Sequence, residues 1–289
     1  IYHRGPDDEG YFVEHNVALG VRRLSIIDLF RGHQPIYNEN GMILIIFNGE
    51  IYDFKELRIN LEKRGHRFST NTNTEVIVHL YEDFGFDCLK KLNGMFAFAI
   101  YDKTEDLLFI ARDRLGIKPL HYCFDGKVLV FGSELKSLLQ FPGLRREIDL
   151  KSLNKYLTFE YVPAPYTIYK DIYKLQPGHY LIFKNGRLLI KKYWNLSYKD
   201  KPIRSKGECI EKLRWYIDDS VRKRMISDVP LGTFLSGGID SSLITAFMTR
   251  QSSQKVKTFS VSFDDKSFDE SRYARQIASF LGTEHYEEN

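Results

Sequence analysis

Two grammars of hydrophobic and polar positions divide the chain. From Tyr11 to about Trp194, short apolar or alternating runs dominate: Met42–Phe47, Met95–Tyr101, Leu107–Ala111, His121–Phe124 and Val128–Gly132. They are rich in Ile, Val, Phe and Tyr, and Asn40-Gly41, Asn93-Gly94, Asp125-Gly126 and Asn185-Gly186 punctuate them. Such runs between such dipeptides predict strands joined by tight turns. Two stretches change period. Phe54, Leu57 and Leu61 share a helical face that runs to Arg64 and stops at Gly65; Val76, Ile77, Leu80 and Phe84 mark a second helix from Glu75 to Phe84. Strand-heavy sequence with clustered helices predicts a layered α+β domain.

After the polar stretch Tyr198-Lys199-Asp200-Lys201-Pro202, which reads as a linker, the grammar becomes helix–strand. Ile210, Leu213, Ile217, Val221 and Met225 trace one helix face. Pro230–Leu235 reads as a buried strand and Val256–Phe263 as a second strand, with a helix over Ser242–Arg250 between them. Ser267 and Glu270 stand at capping-box spacing for a helix through Tyr273, Ile277 and Leu281, with Gly282 beyond it. His285-Tyr286 opens a third strand. This βαβαβ order predicts the start of a doubly wound parallel sheet, giving domains at residues 1–197 and 198–289.

The sharpest chemical signal lies at the first strand-to-helix junction of the second domain, Ser236-Gly237-Gly238-Ile239-Asp240-Ser241-Ser242. Two glycines allow a tight turn and close approach of N–H groups to an anion, and a helix N-terminus points into the same space. Ser236, Ser241 and Ser242 add hydroxyl donors. No Gly-Lys-Ser/Thr follows, so this is a pyrophosphate cradle of a non-Walker kind that suits cleavage between the α- and β-phosphates. A Gly-Gly turn with incidental serines is the bland alternative; seven matching residues in a strand–loop–helix setting weigh against it.

Composition narrows the classes. Hydrophobic content of 43% and charged content of 28% in 289 residues suit two globular domains, and a net charge of +4 with scattered basic residues gives no support for nucleic-acid binding. Cys88, Cys123 and Cys209 are widely spaced and odd in number, which argues against a disulfide framework or zinc site and fits a reducing compartment. No apolar run approaches the roughly 20 residues that span a bilayer. The chain opens at Ile1 in motif-like sequence and stops at Asn289 before a parallel sheet could close, so it reads as cut at both ends.

Seven segments in series resemble the glutamine-dependent asparagine synthetases: His3–Asp8, Arg23–Asp28, Asn48–Tyr52, Gly94–Ala99, Arg112–Leu120, Ser133–Lys136 and the Ser-Gly-Gly cradle. The resemblance covers essentially the whole chain. It implies an N-terminal-nucleophile, class II glutamine amidotransferase domain of αββα layers, followed by the start of an ATP-pyrophosphatase domain. Glutamine hydrolysis would supply ammonia. ATP with Mg2+ would adenylate aspartate, and ammonia would displace AMP to give asparagine. The implied partners are glutamine, aspartate, ATP and ammonia, without nucleic acid or membrane; a homodimer stays open, and the implied compartment is cytoplasmic.

Within that resemblance, Arg23 matches the arginine that forks onto the glutamine α-carboxylate, in the run Arg23, Leu24, Ser25, Ile26 and Ile27. Asn48 and the Gly49 N–H match the oxyanion hole, and Glu50 a substrate-binding position in the following loop. Leu235 and Val261, at the ends of two strands, match nucleotide contacts, against the plain alternative of core. Asp240 either orients phosphates through magnesium or simply caps its helix. Two departures stand out. The family's nucleophile is a cysteine at the mature N-terminus, upstream of Ile1, so the chain as it stands is expected to be inactive. Asn73 occupies the position of the aspartate that faces the α-ammonium of glutamine; losing that charge costs about 1–3 kcal/mol and predicts a weak glutamine site with a preference for free ammonia. An amidotransferase acting on another carboxylate, from a cell-envelope or secondary-metabolite intermediate, and a non-catalytic relic of the fold remain as alternatives.

Overall fold

The computed structural model describes residues 1–198 and 204–289, which form two compact units, Ile1–Ser197 and Tyr198–Asn289. Most of the expected linker, residues 199–202, lies outside the described residues.

The first unit contains strands β1 (Asp8–Glu14), β2 (Val17–Arg23), β3 (Ile36–Tyr37) and β4 (Ile43–Ile51), then helices α1 (Phe54–Lys63), α2 (Glu75–Phe84) and α3 (Cys88–Lys91). Strands β5 (Gly94–Asp102), β6 (Leu107–Arg112), β7 (His121–Phe124) and β8 (Leu129–Gly132) follow, then helices α4 (Leu135–Leu138) and α5 (Leu150–Phe159). It ends with β9 (Tyr173–Lys174), β10 (His179–Lys184) and β11 (Arg187–Lys192). One sheet has the order β11-β10-β6-β5-β4-β3, and every pairing in it is antiparallel.

Period-2 alternation gives that sheet two apolar faces. Leu44 and Ile46, Ala97 and Ala99, and Leu108 and Ile110 meet Phe12 and Leu19 of the β1–β2 hairpin, with Tyr122, Leu129 and Phe131 of the small sheet β8-β7-β9 packed alongside. From the opposite face Phe109 stacks on Tyr81 of α2 with ring centroids 5.7 Å apart. Leu138 of α4 packs with Cys123 and Ile172 on the far side of the small sheet. The result is helix, sheet, sheet, helix, the αββα arrangement anticipated; the inner second layer consists of two separate antiparallel sheets.

The second unit places α6 (Lys206–Arg224), β12 (Gly232–Phe234), α7 (Ile239–Gln251), β13 (Lys257–Val261), α8 (Ser271–Leu281) and β14 (Glu284–Glu288) in alternation. Its three strands are parallel in the order β12-β13-β14. Val221 of α6 packs on Phe247 and Met248 of α7, and Leu235 packs on Ala274 and Ala278 of α8.

Three expectations are corrected. The strand beginning near Met42 does not end at Phe47: it runs through Asn48-Gly49-Glu50 to Ile51, paired with β5 throughout. The capping box of Ser267 and Glu270 does not form, because Ser267 bonds Asp265, while Asp269 accepts from the N–H and hydroxyl of Ser271 at 3.1 and 3.0 Å. A carboxylate at the right distance is simply the stronger acceptor. The box occurs instead on α6, where Ser205 and Glu208 cap each other. Helix α5 was not anticipated; Asp149 caps it by accepting from the N–H groups of Lys151 and Ser152.

Candidate functional site

The continuation of β4 is what builds the site. Phe96 of β5 directs its backbone away from β4: its N–H donates to Asp113 Oδ2 at 3.1 Å, and its carbonyl accepts from the Asp113 N–H at 2.8 Å. Gly49 lies opposite Phe96, so the two form a non-hydrogen-bonded pair, the closer kind. A Cβ on Gly49 would stand 2.2 Å from the Met95 carbonyl oxygen, which is why only glycine fits. The Gly49 N–H therefore points toward the β3 side, as do those of Ile45 and Phe47. β3 covers only Ile36–Tyr37. Beyond it the Gln34 side chain accepts from the Phe47 N–H at 2.7 Å, and past Gln34 the strand edge borders a cavity.

That cavity, of ≈ 350 Å³, is lined by Arg23, Leu24, Ile26, Ile27, Asn48, Gly49, Glu50 and Asn73. All of these are residues that the sequence singles out. Ser25 is not among the lining residues; its N–H donates to Asp7 Oδ2 at 2.8 Å and anchors the loop after β2. Lys118, Gln34, Thr72 and Thr74 also line the cavity and were not foreseen.

Each charged side chain is held from behind. Arg23 Nη2 donates to the carbonyls of Ile27 and Asp28 at 2.9 and 2.8 Å, curling the loop around its guanidinium. Gly32 makes room for it, since a Cβ there would lie 2.0 Å from Nη2. Burial pulls the guanidinium down from its usual value, opposed by Asp8 and Asp28. Asn73 donates its Nδ2 to Glu50 Oε2. Burial pushes Glu50 up to about 7, against the pull of Lys118, Asn73 and Arg23. Lys118 is itself lowered by burial, with Glu50 opposing the shift. The loop carrying Lys118 is organised by buried Asp113, which accepts from the N–H groups of Leu115, Ile117 and Lys118 at 3.1, 2.9 and 3.0 Å. Arg112 grips the same loop through the carbonyls of Gly116 and Lys118, both at 2.8 Å.

Asn73 sits at the end of a loop built around Glu75. The buried carboxylate accepts from the N–H and hydroxyl of Ser69 at 2.7 and 3.0 Å, and from those of Thr70 at 2.7 and 2.6 Å. Burial alone would raise Glu75, but the neighbouring His79 imidazole and these donors bring it down to about 2.

In the second unit, the cradle residues occupy the β12–α7 junction. Gly237 adopts φ +82°, and a Cβ on it would lie 2.4 Å from that of Tyr273, so its glycine is required by packing on α8. Gly238 caps α7. Ser236 and Ser241 are joined hydroxyl to hydroxyl at 3.0 Å, and the Gly238 N–H donates to Ser236 Oγ at 3.3 Å. Asp240 stands exposed in the first turn of α7. The Ser242 hydroxyl is buried and finds no hydrogen-bond partner among the described residues. Leu235 is 1% exposed and belongs to the core with Ala274, whereas Val261 is 51% exposed; with Ser236 both border a second cavity of ≈ 230 Å³.

The layered αββα unit gathers a guanidinium, a carboxylate and an outward backbone N–H around one pocket. Residues 1–194 match the glutamine amidotransferase domain family and residues 212–289 the asparagine synthase family. The chain belongs to the glutamine amidotransferase domain family, continued by the opening of an asparagine synthase domain. It is 40% identical over 309 residues to putative asparagine synthetase 2 (glutamine-hydrolyzing) of Methanocaldococcus jannaschii, covering 99% of this chain and 59% of that protein. It is 42% identical over 286 residues to asparagine synthetase 1 (glutamine-hydrolyzing) of Bacillus subtilis, covering 98% and 45%. Amidase chry2 of Gibberella zeae is 37% identical over 305 residues, covering 98% and 45%. The chain thus spans about half the length of the curated relatives it matches.

Proposed function

We propose that the first unit binds glutamine in the cavity at the end of β4 and releases ammonia from it. Arg23 receives the α-carboxylate. Its Nη2 donates to two loop carbonyls, which fixes the plane of the guanidinium that meets the carboxylate. Glu50, in its ionised form, receives the α-ammonium. The Asn48 side chain and the Gly49 N–H meet the oxyanion of the tetrahedral intermediate, and because the strand fixes that N–H beforehand, it needs no reorganisation as charge develops. Among the described residues no cysteine lines the cavity, and burial pushes the Cys88 thiol up.

The ammonia would serve the second unit, where ATP-dependent amidation of aspartate to asparagine proceeds through a β-aspartyl-AMP intermediate with release of AMP and pyrophosphate. The donor set at Ser236–Ser242 suits a pyrophosphate: helix N–H groups and two linked hydroxyls, without a lysine. An exposed carboxylate at Asp240 suits Mg2+, which takes one or two carboxylates and completes its shell with phosphate and water. The ion would neutralise phosphate charge as the α–β bond breaks. Gly238 and the first turn of α7 would orient the phosphates, with Val261 against the nucleotide. Leu235 supports the loop from the core. A carboxylate acceptor other than aspartate is the second reading, favoured by the similarity to amidase chry2.

The reading rests above all on the convergence of Arg23, Asn48, Gly49 and Glu50 on one cavity. The full-length protein supplied with aspartate, ATP and Mg2+ is expected to form asparagine and pyrophosphate with glutamine or with ammonium. Pyrophosphate release only with another carboxylate would favour the second reading. Failure of every acceptor would leave the fold without the proposed chemistry.

A further inference from the structure

Away from that cavity, two histidines and two carboxylates converge where the turn after β3, the end of α1 and the outer turns of α2 meet. We propose that Glu39, His66, His79 and Glu82 form a binding site for a divalent transition-metal ion of the zinc class, which pins α2 to the segments on either side of it.

The atoms are arranged as such an ion requires. One ligand atom from each residue can be chosen so that all four lie within 4.8 Å of one another. His79 Nδ1 is 3.4 Å from Glu39 Oε2 and 2.9 Å from Glu82 Oε2; His66 Nδ1 is 3.5 Å from Glu39 Oε1 and 3.7 Å from Glu82 Oε2. Metal–ligand bonds of 2.0–2.1 Å in a tetrahedron put ligands about 3.4 Å apart, in the middle of this range. Two glutamates and two neutral imidazoles around a doubly charged ion also make a site with no net charge.

The surroundings orient each ligand from outside. Asn38 Nδ2 donates to Glu82 Oε1 at 2.7 Å, and the Arg67 N–H donates to Glu39 Oε1 at 2.8 Å, so the Oε2 atom of each carboxylate turns toward His79. On the far side of the rings, His66 Nε2 lies 3.3 Å from Asp83 Oδ1 and His79 Nε2 lies 3.7 Å from Glu75 Oε1. A carboxylate behind the second ring nitrogen is the usual support of a metal-bound histidine. His79 is fully buried, and its Nε2 makes no hydrogen bond among the described residues. Phe68 closes over the ring at a centroid distance of 4.5 Å. Four protein ligands leave no open position, which marks the site as structural. The competing arrangement is metal-free, with both imidazoles paired to the same acids.

The test uses the full-length protein, purified without a metal-affinity tag. After exhaustive dialysis its zinc content is measured, and its melting temperature is recorded with and without added Zn2+, and with Mg2+ as control. The expected result is close to one zinc per chain, removed by a strong chelator, with a melting temperature about 5 °C or more higher on zinc readdition and unmoved by Mg2+. His66→Gln and Glu82→Gln, both at partly exposed positions, keep the fold and lose zinc and the shift. If the wild type carries no zinc and its melting temperature ignores Zn2+, or if the variants respond as the wild type does, the site is an ion-pair network and the proposal is wrong.

Discussion

Asn73 donates its side-chain amide to Oε2 of Glu50, the one carboxylate among the described residues lining the cavity. The amide does not merely replace an acid; it steadies another. Under the proposed function the negative charge that meets a substrate ammonium comes from Glu50, whose pKa burial raises to about 7. Asn73→Asp restores a second acid and is expected to lower the KM for glutamine roughly ten- to hundredfold at pH 8, with ammonium-supported activity unchanged. An unchanged KM would remove Asn73 from the account.

The titration of Glu50 has two consequences. Its folded pKa lies above its ordinary value of 4.5, so it contributes stability below that value, and the contribution is lost as pH rises through about 7. Glu50→Gln should therefore raise the melting temperature at pH 8 relative to wild type and have little effect at pH 4. In binding the sign is reversed, because the ionised form is the useful one. The KM for glutamine should fall as pH rises from 6 to 8, and Lys118→Met, which removes a charge opposing protonation, should shift that transition upward.

Glu75 behaves oppositely. Held at about 2, it contributes stability above 4.5 that is lost as pH falls toward its folded value. Glu75→Gln keeps the shape but loses acceptor strength for Ser69 and Thr70. It should destabilise the first unit at pH 7 by about 1–3 kcal/mol, measured by chemical denaturation, and flatten the acid limb of its stability profile.

Gly32 separates positioning from folding. The atom a methyl group would strike is the far end of the flexible Arg23 side chain, at 2.0 Å, with the Thr72 methyl next at 2.8 Å. Gly32→Ala should leave the melting temperature within about 2 °C of wild type while raising the KM for glutamine roughly tenfold. By contrast Gly49→Ala meets the Met95 backbone and should disrupt β4–β5 pairing, lowering the melting temperature markedly.

Much of this was legible because local pattern and tertiary context agree. Apolar runs became the central strands, and helix-spaced residues became α1 and α2 within a residue at each end. Legibility failed where a polar segment was recruited by its neighbours. Asn48-Gly49-Glu50 follows an apolar run that the pattern ends at Phe47, yet Phe96 and Asp113 hold the partner strand so closely that only a glycine-bearing strand can lie beside it. Helix α5 leaves Leu150, Leu157 and Phe159 largely exposed, which blurs its apolar face. Lys118 is one of many lysines; what brings it to the cavity is Asp113, whose grip on the loop appears only in three dimensions. The quartet around His79 is scattered from Glu39 to Glu82, a spacing with no metal signature.

Under the proposed function the cavity at Arg23 handles glutamine and nothing else in the reaction. The most direct test compares wild type and Arg23→Gln in the full-length protein, following asparagine formation with glutamine and, separately, with ammonium. The variant is expected to lose most glutamine-supported synthesis and glutamate release, and to keep ammonium-supported synthesis at the wild-type level. Equal loss with both donors, or no loss with either, would contradict it.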